Sequence, residues 1–104
     1  MLSARIDSGR LPLLPGVLEL ARAGITTGAS ARNWQSYGDG VRLALPVDSA
    51  LQAILTDPQT SGGLLVACAP EAVASVLEIF NRLCFEGATV IGGFEGTGAG
   101  IEVS

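Results

Sequence analysis

The sequence predicts a mixed α/β (α+β) fold, a single domain over residues 1–104, on three observations. A length of 104 residues fits one domain. Short apolar runs with the character of strands lie near both ends of the chain. Between them, over residues 70–85, apolar side chains recur at spacings of three and four, the signature of an amphipathic helix. Apolar types make up 48% of the chain and its mean hydropathy is +0.47, which excludes disorder. A chain this size buries roughly 60–70% of its unfolded surface, enough for one core without metals or disulfides.

Each element follows in order. Leu2-Ser3-Ala4-Arg5-Ile6 alternates apolar and polar and predicts a half-buried strand, turned by Asp7-Ser8-Gly9. Pro15 opens a helix with Val17, Leu18 and Ala21 inward, and Gly24 is its natural stop. Residues 25–30 read as a small-residue loop. Ser30 then caps a short helical turn through Asn33 and Trp34, broken by Gly38-Asp39-Gly40. Residues 41–45 are a strand or an extended connection. Asp48 or Ser49 caps the next short helix, with Leu51, Ile54 and Leu55 on one face.

Leu64-Leu65-Val66-Ala67-Cys68 is too short for a buried helix and predicts a central strand. The helix that Pro70 and Glu71 open carries Val73, Val76, Leu77, Phe80, Leu83 and Cys84 on one face and ends at Gly87. Ala88-Thr89-Val90-Ile91 predicts a strand, paired with Gly100-Ile101-Glu102-Val103 across a glycine-rich turn. The chain therefore ends β-α-β-β.

Composition narrows the chemistry. Ten acids against six bases give a net charge of −4, and every base is an arginine. With no histidine there is no imidazole base and no histidine-containing zinc site. With no lysine there is no Schiff base and no Walker-type lysine. Scattered arginines on an acidic chain make no nucleic-acid surface. No residue qualifies as catalytic and no set as a metal site. Cys68 and Cys84 read as two buried small hydrophobes of a reducing compartment. Met1-Leu2 leads straight into polar residues, without a signal peptide, and no apolar stretch nears the roughly 20 residues of a membrane span. A cytoplasmic protein with no membrane contact is expected.

Three stretches invite a binding reading. Five glycines between Gly92 and Gly100 suggest a phosphate loop, but dinucleotide fingerprints need a helix directly after them, and only four residues remain. A flexible hairpin turn is the better reading. Thr26-Thr27-Gly28-Ala29-Ser30 with Asn33 offers hydroxyls, an amide and close backbone approach, although a capped loop explains it as well. In the third, Asp57-Pro58-Gln59 frames Thr60, Ser61, Gly62 and Gly63. Gly62 and Gly63 permit positive φ and expose consecutive N–H groups, so the stretch is either an anion-binding nest or a turn.

Asp57-Pro58-Gln59-Thr60-Ser61-Gly62-Gly63-Leu64-Leu65 resembles the signature near the C-terminus of the selenophosphate synthetases, or selenide, water dikinases. Leu14-Pro15-Gly16, then residues 24–30, then Arg32-Asn33, and the closing Ile91-Gly92 are similar to that family in the same order. The resemblance implies the C-terminal portion of an enzyme that makes selenophosphate, AMP and phosphate from ATP, selenide and water, with Mg2+. It implies the three-layer α/β/α sandwich of partly ferredoxin-like topology of the aminoimidazole ribonucleotide synthetase superfamily. The family's nucleophile, lysine and magnesium-binding aspartates match nothing here, so the missing N-terminal half of the same enzyme is the expected partner, in a homodimer. On this reading Thr60, Ser61, Gly62 and Gly63 face a phosphate, Thr27, Gly28 and Asn33 line the facing loop, and the chain alone is inactive. Alternatives are a stand-alone binding or dimerisation module, or a domain of a sister ATP-dependent enzyme. The chain is expected to fold by itself, with the 70–85 helix resting on the 64–68 strand, and to hold ATP weakly.

Overall fold

Period-two patterning sorts the residues of the sheet onto two faces. In the computed structural model, which describes every residue except Leu45 and Thr97, four strands form one sheet. They are β1 (Ser3–Ile6), β2 (Val41–Leu43), β3 (Gly92–Glu95) and β4 (Gly100–Val103), in the order β2-β4-β1-β3. β4 runs parallel to both β1 and β2, and β3 antiparallel to β1. The register sets Ala4, Ile6, Val41, Leu43, Phe94, Ile101 and Val103 on one face. Arg5, Arg42, Glu95 and Glu102 share the other, where Arg5 pairs with Glu95 at 2.8 Å and Arg42 with Glu102. The first pair is solvent-exposed and the second half-buried at Glu102, and each contributes about 1 kcal/mol or less. With four α-helices, α1 (Val17–Arg22), α2 (Gly28–Tyr37), α3 (Ser49–Leu55) and α4 (Val73–Arg82), this is the expected mixed α/β class. Of the 41–45 stretch, residues 41–43 form a strand, and Leu45 lies outside the described residues.

The β-ending differs from the expected one. The strand begins at Gly92 rather than at Ala88, because β1 and β3 approach so closely that a Cβ on Gly92 would collide with the Arg5 carbonyl. Val90 and Ile91 have higher strand propensity, yet close backbone approach decides the register. β3 and β4 are not a hairpin: β1 lies between them. The connection crosses the end of β1, with Gly98 at φ +109 beside Ser3, while Thr97 lies outside the described residues.

Two helix ends use the same device. At the end of α1, Gly24 takes φ +87, its N–H bonds the Ala21 carbonyl and the Ile25 N–H bonds that of Leu20. At the end of α4, Cys84 takes φ +67, its N–H reaches Asn81 and the Phe85 N–H reaches Phe80, whose ring meets that of Phe85 edge-on at 6.3 Å. Both are Schellman closures, so Cys84, not Gly87, is the stop. Asp48 is the N-cap of α3: its carboxylate accepts the Leu51 N–H at 2.7 Å and the Arg22 guanidinium at 3.1 and 3.2 Å, tying α1 to α3. A capping role for Ser30 is not found. α2 starts earlier, at Gly28, and Ser30 lies buried within it, its hydroxyl turned to a neighbouring helix.

The largest departure concerns residues 64–68. They form no strand, and Leu64 and Leu65 are 82% and 81% exposed. An apolar pentad becomes a central strand only where neighbours accept its backbone bonds and cover both faces, and this chain's sheet does neither. The support expected for the 70–85 helix is therefore absent. Cys68 and Cys84 are likewise free and exposed rather than buried, one ending this segment and the other at the turn after α4. The buried apolar side chains among the described residues are Ala21, Ala50 and Val103. The accessible surface is 7537 Å², about 2,000 Å² above that of a compact monomer of 10.6 kDa. A radius of gyration of 14.7 Å against about 13 Å agrees.

Three outcomes follow from this geometry. Gly92→Ala forces β1 and β3 apart and lowers stability by about 1–3 kcal/mol in denaturant unfolding. Cys84→Gly relieves a left-handed non-glycine residue and raises stability by up to about 1 kcal/mol. The Leu51 N–H and then the Arg22 guanidinium hold the Asp48 carboxyl below its ordinary 3.8. Stability from that carboxylate is complete above pH 3.8 and is lost as pH falls through the lowered folded-state value. Melting temperature followed from about pH 5 to 2 shows this loss in the parent chain, and Asp48→Asn removes that component.

Candidate functional site

The second and third binding stretches meet where α2 begins and α3 ends. Asn33 Nδ2 donates to the Thr56 carbonyl at 2.8 Å, and Ser30 Oγ to the Ala53 carbonyl at 2.9 Å. The Thr56 hydroxyl turns back to the Gln52 carbonyl at 2.9 Å. Thr27 Oγ1 donates to the Asp57 carboxylate at 3.0 Å and lies 3.2 Å from Ser30 Oγ. Carbonyls at the C-terminal end of α3 thus accept from α2, and that of Ala53 also from the Thr56 hydroxyl at 3.3 Å. Each bond contributes about 0.5–1.5 kcal/mol, and more is lost where a buried partner is left unpaired. Ser30 and Thr56 are both buried.

This fastening directs the chain as it leaves α3. Asp57-Pro58-Gln59 carries it into a turn at Thr60 and Ser61. Ser61, not Gly62 or Gly63, takes the left-handed conformation, at φ +55. Gly62 matters for its lack of a side chain: a Cβ there would lie 3.1 Å from Gln59 Cβ and 3.2 Å from Gln59 Oε1. Thr60, Ser61, Gly62 and Gly63 are all exposed.

The expected site residues thus fall into two groups. Thr60 to Gly63 present hydroxyls and backbone to solvent. Thr27 and Asn33 are joined to α3 and its exit, and Gly28 is the first residue of α2. Arg32, read from the sequence within the family-like Arg32-Asn33 pair but not as a site residue, has its Nη1 3.7 Å from where a Cβ on Gly28 would lie, which puts a positive charge beside the N-terminal end of α2. A spacing of four residues on a helix is the signal that could have found it. Between α1, α2 and α3 lies an open cleft of about 280 Å³, walled by Val17, Leu20, Ile25 and Ile54 and rimmed by Thr27, Asp57 and Gln59. Among the described residues no three of His, Cys, Asp and Glu converge to hold a metal, and no helix is long and apolar enough to cross a membrane.

The relatives point to one enzyme. The chain is 58% identical over 94 residues to the selenide, water dikinase of Pseudomonas straminea, covering 90% of this chain and 26% of that protein. It is 53% identical over 103 residues to the selenide, water dikinase of Burkholderia pseudomallei, covering 99% of the chain and 29% of that relative. For that of Dechloromonas aromatica the identity is 49% over 102 residues, with 98% and 29% covered. No protein-family model matches the chain. The resemblance read from Asp57 to Leu65 is borne out, and the chain spans between a quarter and a third of the length of these relatives.

If Asn33 acts as a fastener, Asn33→Ala lowers stability by about 1 kcal/mol, because the Thr56 carbonyl loses its donor. Urea unfolding measures the loss.

Proposed function

We propose that the chain works as the C-terminal portion of a selenide, water dikinase, making selenophosphate, AMP and phosphate from ATP, selenide and water. The observation that carries this reading is the union of the two family-like stretches: the 27–33 segment grips the end of α3, and Thr60 to Gly63 stand exposed just beyond. The turn closes one side of the site and offers N–H and hydroxyl donors to a phosphate or to the product anion. Donors fixed before the reaction need no reorganisation as charge shifts, which is the main protein contribution to phosphoryl transfer. Thr27, Gly28 and Asn33 hold the facing wall.

Nucleophile, lysine and the aspartates that bind Mg2+ come from the N-terminal part of the enzyme. The whole is a cytoplasmic homodimer. A few neutral donors, about 0.5–1.5 kcal/mol each, fall far short of the roughly 8 kcal/mol of micromolar affinity, so the chain alone holds ATP weakly.

The test replaces the matching region of the Pseudomonas straminea enzyme with this chain and measures AMP formation from ATP and selenide. The graft is expected to turn over, and Gly62→Val, which displaces Gln59 and the turn, to lose at least about tenfold in kcat/KM, or about 1.4 kcal/mol. A Gly62→Val graft as active as its parent sinks the role of the turn.

A further inference from the structure

We propose that residues 64–68 are an unpaired strand whose partner is a sheet edge in the part of the relatives' length that this chain does not span. The inference rests on the functional reading above and adds the surface by which the two portions join. All five residues are apolar, so both faces of a strand built from them are apolar, the pattern of a strand covered on both sides. Here Leu64 and Leu65 are more than four-fifths exposed and Val66 is half exposed. Among the described residues, none of the five makes a backbone hydrogen bond. Side chains and backbone both face solvent without a partner in the chain, the state of a strand before its sheet arrives.

The chain's own sheet is a poor host. Its inner strands, β4 and β1, are already paired on both sides. Of the two edges, β2 is three residues long, and β3 opens on Gly92 and Gly93, which have no side chains to cover leucines. A second copy fits less well than the absent portion. Pairing 64–68 with itself covers one strip, whereas apolar exposure also includes Ile79 and Leu83 on or just after α4, Phe94 on β3 and Ile101 on β4. Surface of about 2,000 Å² beyond a compact monomer suits the large, apolar interfaces of permanent partners. Roughly three quarters of the length of the Pseudomonas straminea relative lies outside the matched region, ample chain to cover it. Gly63 directly precedes Leu64, so docking the strand brings the Thr60–Ser61 turn to the seam between the two portions.

Amide hydrogen exchange over residues 64–68 tests this in three proteins: the 104-residue chain, the graft, and the intact Pseudomonas straminea enzyme at its aligned positions. Expected is exchange near the unstructured rate in the chain alone, at every protein concentration, and at least about 100-fold slower exchange in the other two. Equal rates in the chain and the intact enzyme overturn the proposal, whether or not the graft folds. Concentration-dependent protection in the chain alone also overturns it, in favour of a second copy. AMP formation is read separately: protection without turnover in the graft sinks the functional reading and leaves the docking strand standing.

Discussion

The carbonyls of Ala53 and Thr56 at the end of α3 accept from Ser30 and Asn33 of α2, and the Thr56 hydroxyl adds a longer bond to Ala53 at 3.3 Å. Buried polar groups tolerate little displacement, since moving one partner strands the other at a cost of about 1–3 kcal/mol. Two helices joined in this way hold a fixed angle where they meet. Asp57 emerges from that junction with its carboxylate already bonded to Thr27, so the direction of the chain into Pro58 is set before the exposed turn begins. Ser61 in a left-handed conformation then reverses the chain without help from a glycine. Rigidity at the turn is thus inherited from the helix junction, and the donors of Thr60 to Gly63 need not be buried to be ordered.

The same constraint divides the molecule. On one side, α1, α2 and α3 are bound together through Asp48, Arg22 and the α2–α3 network, and the buried Ala21, Ala50, Ser30 and Thr56 all lie there. On the other, residues 64–68 are open, and α4 keeps Ile79 half exposed, with Leu83 and Phe85 exposed beyond its last turn. Helix-to-helix contact supplies its own polar partners in this chain, whereas a central strand requires another strand. That difference explains why the half with hydroxyls and amides is satisfied internally and the apolar half is not.

Local signals were legible where one residue's own backbone decides the outcome. Gly24 closes α1, Asp48 caps α3, and alternation marks β1, each as expected, whereas Pro15 lies in the turn before α1, whose N-cap is Gly16. Signals failed where a distant partner decides. A serine before a helix and a serine within one look alike in sequence; only the Ala53 carbonyl, 23 residues away, turns Ser30 from a cap into a fastener. Ala88 to Ile91 has the better strand chemistry, yet the fit of Gly92 against Arg5 moves the strand four residues on. Cys84 stops a helix where glycine is usual because Phe80 and Phe85 meet across the closure. The candidate site was legible as a stretch of nine residues, while its support, Ser30 and the Thr27–Asp57 bond, depends on tertiary contact.

One consequence joins the site to the open surface. The turn at Thr60 and Ser61 has two neighbours in the chain, the junction held by Asn33 and the apolar run that starts at Leu64. The first is ordered within this chain, so the turn is anchored on one side only. Docking of residues 64–68 anchors the other side and fixes the turn at both ends, which lowers the entropy that a bound anion must otherwise remove. On the proposed function, phosphoryl transfer gains from a turn already ordered when the phosphate arrives.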